Sequence, residues 1–155
     1  MNFKECTLIA ADPGGTTGIA SLTYTAFDSL EMEHSNVTGF VTGMLDYHKR
    51  INHPVILGAE RFIEQRSGKH SSQPHAQRII GALEEAAKAR DIRFELQNTS
   101  DAKTIGRDSV LKRLGWYRSA TPHGNDAARH LLLMINRIFP DDYARLLLAA
   151  GYLGG

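Results

Sequence analysis

The stretch Thr7-Leu8-Ile9-Ala10-Ala11-Asp12-Pro13-Gly14-Gly15-Thr16-Thr17-Gly18-Ile19-Ala20 decides how the rest of the chain is read. It opens as an unbroken apolar run, stops at a carboxylate and turns through Pro13 and two glycines. It resumes as a β-rich segment from Gly18 to Thr25. An apolar run bounded by turn residues reads as a strand buried on both faces, and so short a turn makes the next segment its hairpin partner. The glycines of the turn are expected to supply positive φ. Backbone N–H groups in such a turn can also cradle a phosphate, a second reading that stays open. The turn has no Walker lysine, however, and it leads into a strand rather than a helix.

Working outward, a third strand is expected within residues 28–38, with Leu30, Met32 and Val37 facing inward. Phe40, Val41, Met44, Leu45, His48 and Ile51 then repeat at helical spacing until Pro54. Val55 to Ala59 is a second apolar run ending in a carboxylate, Glu60, and the polar segment 64–73 reads as a loop. A helix from Pro74 carries Ile79, Ile80, Leu83, Ala86 and Ala87 on one line, and Ile92 to Leu96 alternates as a strand. Asn98, Thr99 and Ser100 offer caps for one helix across 101–115. Asn125 or Asp126 opens an apolar helix that runs to Ile138, and residues 141–150 form one more short helix. Three strands that can pair antiparallel, followed by helix-linked strands, specify an α/β mixed sheet with helices on its faces.

At 155 residues, 42% hydrophobic and 23% charged, the chain fits a single globular domain over 1–155 and excludes wholesale disorder. The lone Cys6 excludes an internal disulfide and a Cys-rich zinc site, and suits a reducing compartment. No apolar run approaches a membrane span, and the N-terminus lacks the pattern of a secretory signal, so the cytoplasm is the expected location. Eighteen basic residues against seventeen acidic ones suggest neutrality, but the distribution is uneven. Residues 1–60 net −4, residues 61–118 net +5, and residues 119–155 net zero. Such asymmetry marks either a polyanion-binding face or solvated helix surfaces.

Asp12 and Glu60 each end a buried strand, the place where open α/β sheets bind ligands. If those strands are neighbours, the two carboxylates approach each other and need a cation or a proton between them. Hard oxygen donors suit magnesium or manganese. His123 and Asp126, three residues apart at a helix start, can point to one side of its first turn. Each residue also has a structural reading: strand-end cap or ion pair for Asp12 and Glu60, loop histidine for His123, helix cap for Asp126.

Taken in order, ADPGGTTGIA, GAERF and HGNDAARHLLLMI resemble RuvC-type Holliday junction resolvases of the ribonuclease H-like nuclease superfamily, nearest to the bacteriophage branch. The resemblance covers roughly residues 5–137. It implies a ribonuclease H-like five-stranded mixed sheet, with three antiparallel strands first and helices on both faces. Asp12 matches the family's first-strand aspartate, Glu60 its fourth-strand glutamate and Asp126 the aspartate opening the last catalytic helix. His123 stands where many members have a further aspartate. Lys103 and Arg107 resemble two basic positions after the fifth strand, with Lys103 joining the catalytic set. The family's junction-wedging aromatic corresponds to Ile63, with Phe62 one residue early.

The resemblance implies hydrolysis of phosphodiesters with two Mg2+ ions held by Asp12, Glu60, His123 and Asp126, with Mn2+ able to substitute. A neutral imidazole ligand is expected to favour manganese and to cost activity when His123 protonates. Arg61, Phe62, Ile63, Arg66, Lys69, Arg78, Lys103 and Arg107 are the expected DNA contacts, mostly to phosphates. The expected partner is a four-way junction nicked symmetrically on paired strands, by a C2 homodimer in the cytoplasm, the host's if the protein is phage-encoded. The apolar line Ile79–Ala87 is either the interface or a core stripe. Competing readings are a nuclease for flaps, forks or RNA–DNA hybrids, a non-catalytic DNA-binding protein, and an actin-like or sugar-kinase-like ATP-binding domain. The last needs a second lobe that this chain has no length for.

Overall fold

The computed structural model describes residues 3–24, 26–61 and 74–152. After a 3-10 turn at Phe3–Glu5, the order is β1 Thr7–Asp12, β2 Thr16–Thr23, β3 Ala26–Glu33, α1 His34–Arg50, β4 Val55–Glu60, α2 Pro74–Ala89 and β5 Arg93–Gln97. There follow α3 Thr99–Ile105, α4 Asp108–Leu114, α5 Pro122–Ile138 and α6 Pro140–Ala149. The strands form one five-stranded sheet in the order β3-β2-β1-β4-β5. β1, β2 and β3 pair antiparallel, while β4 joins β1 and β5 joins β4 in parallel.

Every residue of β1 is buried, as a strand covered on both faces requires. Its side chains alternate between two cores. Leu8 and Ala10 join Ala20, Leu22 and Ile56 against Leu131, Leu132 and Ile135 of α5. Ile9 and Ala11 join Ile19 and Leu57 against Val37, Val41 and Leu45 of α1 and Ile79 and Leu83 of α2. Each fully buried Leu, Ile or Val among them contributes about 1.5–3 kcal/mol. Helices therefore cover both faces, and α5 is admitted closely to one of them. A Cβ on Gly58 of β4 would sit 2.4 Å from the Met134 sulfur.

Several boundaries differ from the sequence reading. The third strand stops at Glu33, and Val37 is a buried residue of α1, which starts at His34 rather than Phe40. The expected helix over 101–115 is two helices broken after Ile105. A Cβ at Gly106 would come within 2.9 Å of three Arg129 atoms, so the break seats that side chain. α5 begins at Pro122, with proline in its first turn, not at Asn125 or Asp126. Asn125 is instead engaged with the preceding loop: its Oδ1 accepts from the Arg118 N–H at 2.9 Å, and its Nδ2 donates to the Arg118 carbonyl at 2.8 Å. The turn glycines Gly14 and Gly15 do not supply positive φ; among the described residues the glycines that do are Gly115 and Gly151. Thr17 holds the turn instead, accepting from the Gly14 N–H and donating to its carbonyl. Ile79, Leu83, Ala86 and Ala87 lie in the core, so the apolar line of α2 faces inward.

Candidate metal centre

The parallel register pairs Ala11 with Ala59, which brings the ends of β1 and β4 side by side and sets Asp12 beside Glu60. The antiparallel register pairs Asp12 with Gly18, and Gly18 with Glu31, so these three residues form a row across β1, β2 and β3. Gly18, in the middle, has no side chain, and the first turn of α5 lies on it. A Cβ there would be 1.9 Å from the His123 carbonyl oxygen. The His123 N–H donates to Glu31 Oε1 at 2.7 Å, fixing the helix start to β3. Its ring Nδ1 lies 3.4 Å from Asp12 Oδ2.

One ligand atom from each of Asp12, His123 and Asp126 lies within 4.8 Å of the others. Glu60 flanks this trio through Asp12. The Thr99 hydroxyl donates to Glu60 Oε1, and the buried His130 ring stands 3.9 Å from its other oxygen. His130 Nδ1 is in turn 3.2 Å from the Gln97 side-chain amide. Arg129 donates to Asp126 Oδ1 at 2.9 Å and also to Asp108. Asp12, Glu60, His123 and Asp126 all line one cleft of about 800 Å³, together with Arg61, Thr99 and the Pro13–Thr16 turn.

The electrostatics are those of crowded carboxylates. Burial, then a hydrogen bond with Glu60, then the charges of Glu60, Asp126 and Glu31 push the Asp12 carboxyl up from 3.8 to about 9. Burial alone would raise Glu60 as well, but the hydrogen bonds from Asp12 and Thr99 bring it below its ordinary value. Burial holds His130 below the usual imidazole range. Carboxylates crowded in this way mark where a cation is wanted, and three carboxylates with one imidazole are a donor set that fits a divalent ion.

Of the expected DNA contacts, Arg61 lines the cleft. Lys103 is exposed on α3, near enough to favour the charged form of Glu60. Arg107 is exposed at the start of α4, where its charge acts on Tyr143 of α6, and Arg78 is exposed on α2. Phe62, Ile63, Arg66 and Lys69, with the loop over 64–73, lie outside the described residues. Sequence reasoning missed Glu31, Gln97, Arg129 and His130, and read Thr99 only as a cap. Asn98 occupies the cap position and makes no side-chain cap bond there. The available signal was Glu31 itself, a carboxylate opposite the inward-facing Leu30 and Met32 in a strand whose sheet is covered on both faces.

No family model and no curated protein matches the sequence. Solved structures do match. Thermus thermophilus RuvC in complex with a Holliday junction substrate superposes with a TM-score of 0.59 at 13% identity, over 86% of this chain and 96% of that one. A second Thermus thermophilus RuvC structure gives 0.56 at 13% identity, over 85% and 96%. The chain has the RuvC fold, a ribonuclease H-like mixed sheet.

Proposed function

We propose that this protein is a divalent-metal-dependent endonuclease that resolves four-way DNA junctions by paired symmetric nicks. The observation that carries the proposal is the trio Asp12, His123 and Asp126, with donor atoms within 4.8 Å of one another, at the sheet end where Glu60 adds a fourth donor. The shared fold supports it, because one of the similar RuvC structures was solved on a Holliday junction.

Asp12, Glu60, His123 and Asp126 would hold two Mg2+ ions, with Mn2+ substituting. When bound, such ions would supply Lewis-acid activation of a water and charge stabilisation for in-line phosphodiester displacement. The chain's own residues prepare for this. Asp12, at the end of the most deeply buried strand, is fixed in position by the cores on both its faces. Burial and the neighbouring Glu60 raise the Asp12 pKa to about 9, so a divalent ion held there would compete with a proton. Thr99 and His130 orient Glu60 from behind, as groups around metal-binding carboxylates commonly do. Gly18 and Glu31 set the height of His123 over Asp12. Arg61 at the cleft, with Lys103 nearby, would meet phosphates and position DNA without reading its sequence. The same reading carries Arg66, Lys69, Arg78 and Arg107 as further phosphate contacts, Phe62 or Ile63 as the wedge, and a C2 homodimer in the cytoplasm.

Labelled four-way junction, flap, fork and RNA–DNA hybrid, each incubated with protein and Mg2+, test the proposal. Paired nicks at symmetric positions on the junction are expected, lost in Asp12→Asn and in Asp126→Asn. Cleavage confined to the flap, the fork or the hybrid would replace junction resolution with that activity. Cleavage that survives both variants would remove the site.

A further inference from the structure

The Arg129 side chain is only 14% exposed and its guanidinium lies against the candidate metal centre, donating to Asp126 Oδ1 at 2.9 Å and to Asp108 on the other side. The fold makes room for it, since its stem rests on the α3–α4 break, where a Cβ at Gly106 would come 2.7 Å from Arg129 Cγ. A guanidinium keeps its charge at every working pH, so this is a permanent cation bonded to Asp126. It occupies one oxygen of Asp126. It also opposes any second cation that Asp126 would hold together with His123. The Asp12–Glu60 side is treated differently: the parallel register sets these two carboxyl groups side by side, and the bonds of Arg129 go to Asp126 and Asp108 instead.

We propose that Arg129 makes the two ion positions unequal: the free protein binds one divalent ion firmly between Asp12 and Glu60, while Arg129 keeps the Asp126–His123 position weak until a substrate phosphate brings compensating negative charge. Arg129 is thus a positioning and charge-setting residue, not a catalytic one. The inference rests on the two-ion nuclease reading above, but its test reads metal binding rather than cleavage.

The experiment titrates Mn2+ into the 155-residue chain without DNA, following free Mn2+ by electron paramagnetic resonance and heat by calorimetry. Wild type should show one firm and one weak ion. Arg129→Gln should tighten the weak ion roughly five- to tenfold and move the firm one less than about twofold. Arg129→Lys, which keeps the charge, should stay near wild type. Asp108→Asn, at an exposed position, removes the partner that neutralises Arg129 and should loosen the weak ion further. That variant carries the test if Arg129→Gln fails to fold by circular dichroism. Two equal ions in wild type, unchanged affinities in both Arg129→Gln and Asp108→Asn, or loss of both ions in a folded Arg129→Gln would overturn the proposal. Shifted affinities in a protein that cuts no DNA would leave Arg129 its role and remove only the nuclease reading. Normal cutting with unshifted affinities would do the reverse.

Discussion

Gly18 and His123 meet backbone against backbone: a Cβ on the glycine would lie 1.9 Å from the histidine carbonyl oxygen and 2.7 Å from the Gly124 nitrogen. Backbone atoms cannot swing aside, so Gly18→Ala must push α5 off the sheet or bend β2. We expect a loss of about 3 kcal/mol or more, at the upper end of ordinary overpacking, read from urea unfolding midpoints. Gly15→Ala, with open space around its Cβ, should change stability by less than about 0.5 kcal/mol. Equal stabilities for the two variants would contradict the close approach.

The Asp12 proton makes stability depend on pH when no divalent ion is bound. The folded pKa of about 9 exceeds the ordinary 3.8, so the folded protein holds a proton that the unfolded chain has released at neutral pH. This contribution is fully present below about pH 4 and declines as pH rises towards 9. Glu60 is shifted the other way, so its contribution is lost only on the acid side. Thermal unfolding with chelator should therefore show a melting temperature falling from pH 5 to 8. Asp12→Asn should flatten the fall, and so should added Mg2+. A fall of the same slope in Asp12→Asn would place its origin elsewhere.

Thr99 donates its hydroxyl to Glu60 from the first turn of α3. Replacing it by valine keeps the shape and removes the donor. Metal affinity or nicking rate should drop roughly 10- to 100-fold with little change in unfolding midpoint, and Thr99→Ser should recover most of the loss. A Thr99→Val protein with unaltered metal affinity and rate would show that Glu60 needs no such support.

Arg61 follows Glu60 directly and lines the same cleft, while its backbone N–H is tied to the Gln97 carbonyl at 2.7 Å. Its side chain is therefore dispensable for the fold. Arg61→Ala should weaken junction binding and lower the slope of log affinity against log salt by about 1, measured by fluorescence anisotropy. An unchanged slope would remove Arg61 from the phosphate contacts.

Cys6 is buried, its thiol held 3.5 Å from the Phe3 carbonyl, and burial pushes its pKa up from 9.0 to about 11. At pH 8 it should react with Ellman's reagent only when urea unfolds the chain. Fast labelling of folded protein would show that the N-terminal turn opens.

The sheet was legible because its determinants are local. Two unbroken apolar runs, each closed by turn residues, could only be central strands, and their terminal acids followed by position. His123 and Asp126 were legible for the same reason, sitting three apart before a helical apolar repeat. Glu31, Arg129 and His130 were not, because nothing near them in sequence says what they face. Glu31 acquires its role from the register that sets it across Gly18 from Asp12. Arg129 acquires its role from a gap at Gly106, twenty-three positions away, and His130 from lying under Glu60. The helix break after Ile105 was hidden similarly: residues 101–115 have adequate helix propensity, and the interruption serves a side chain on another helix.

The burial of β1 on both sides bears on how the molecule comes apart. Its amides lie inside ladders to β2 and β4 and beneath two sets of helices, so they should open to hydrogen exchange only with global unfolding. Asp12 sits at the tip of that last-to-melt unit. Ser100, an exposed residue in the first turn of the short helix α3, lines the same cleft and should fray earlier. Warming the protein should therefore loosen the cleft's rim well before it disturbs the carboxylate at its floor.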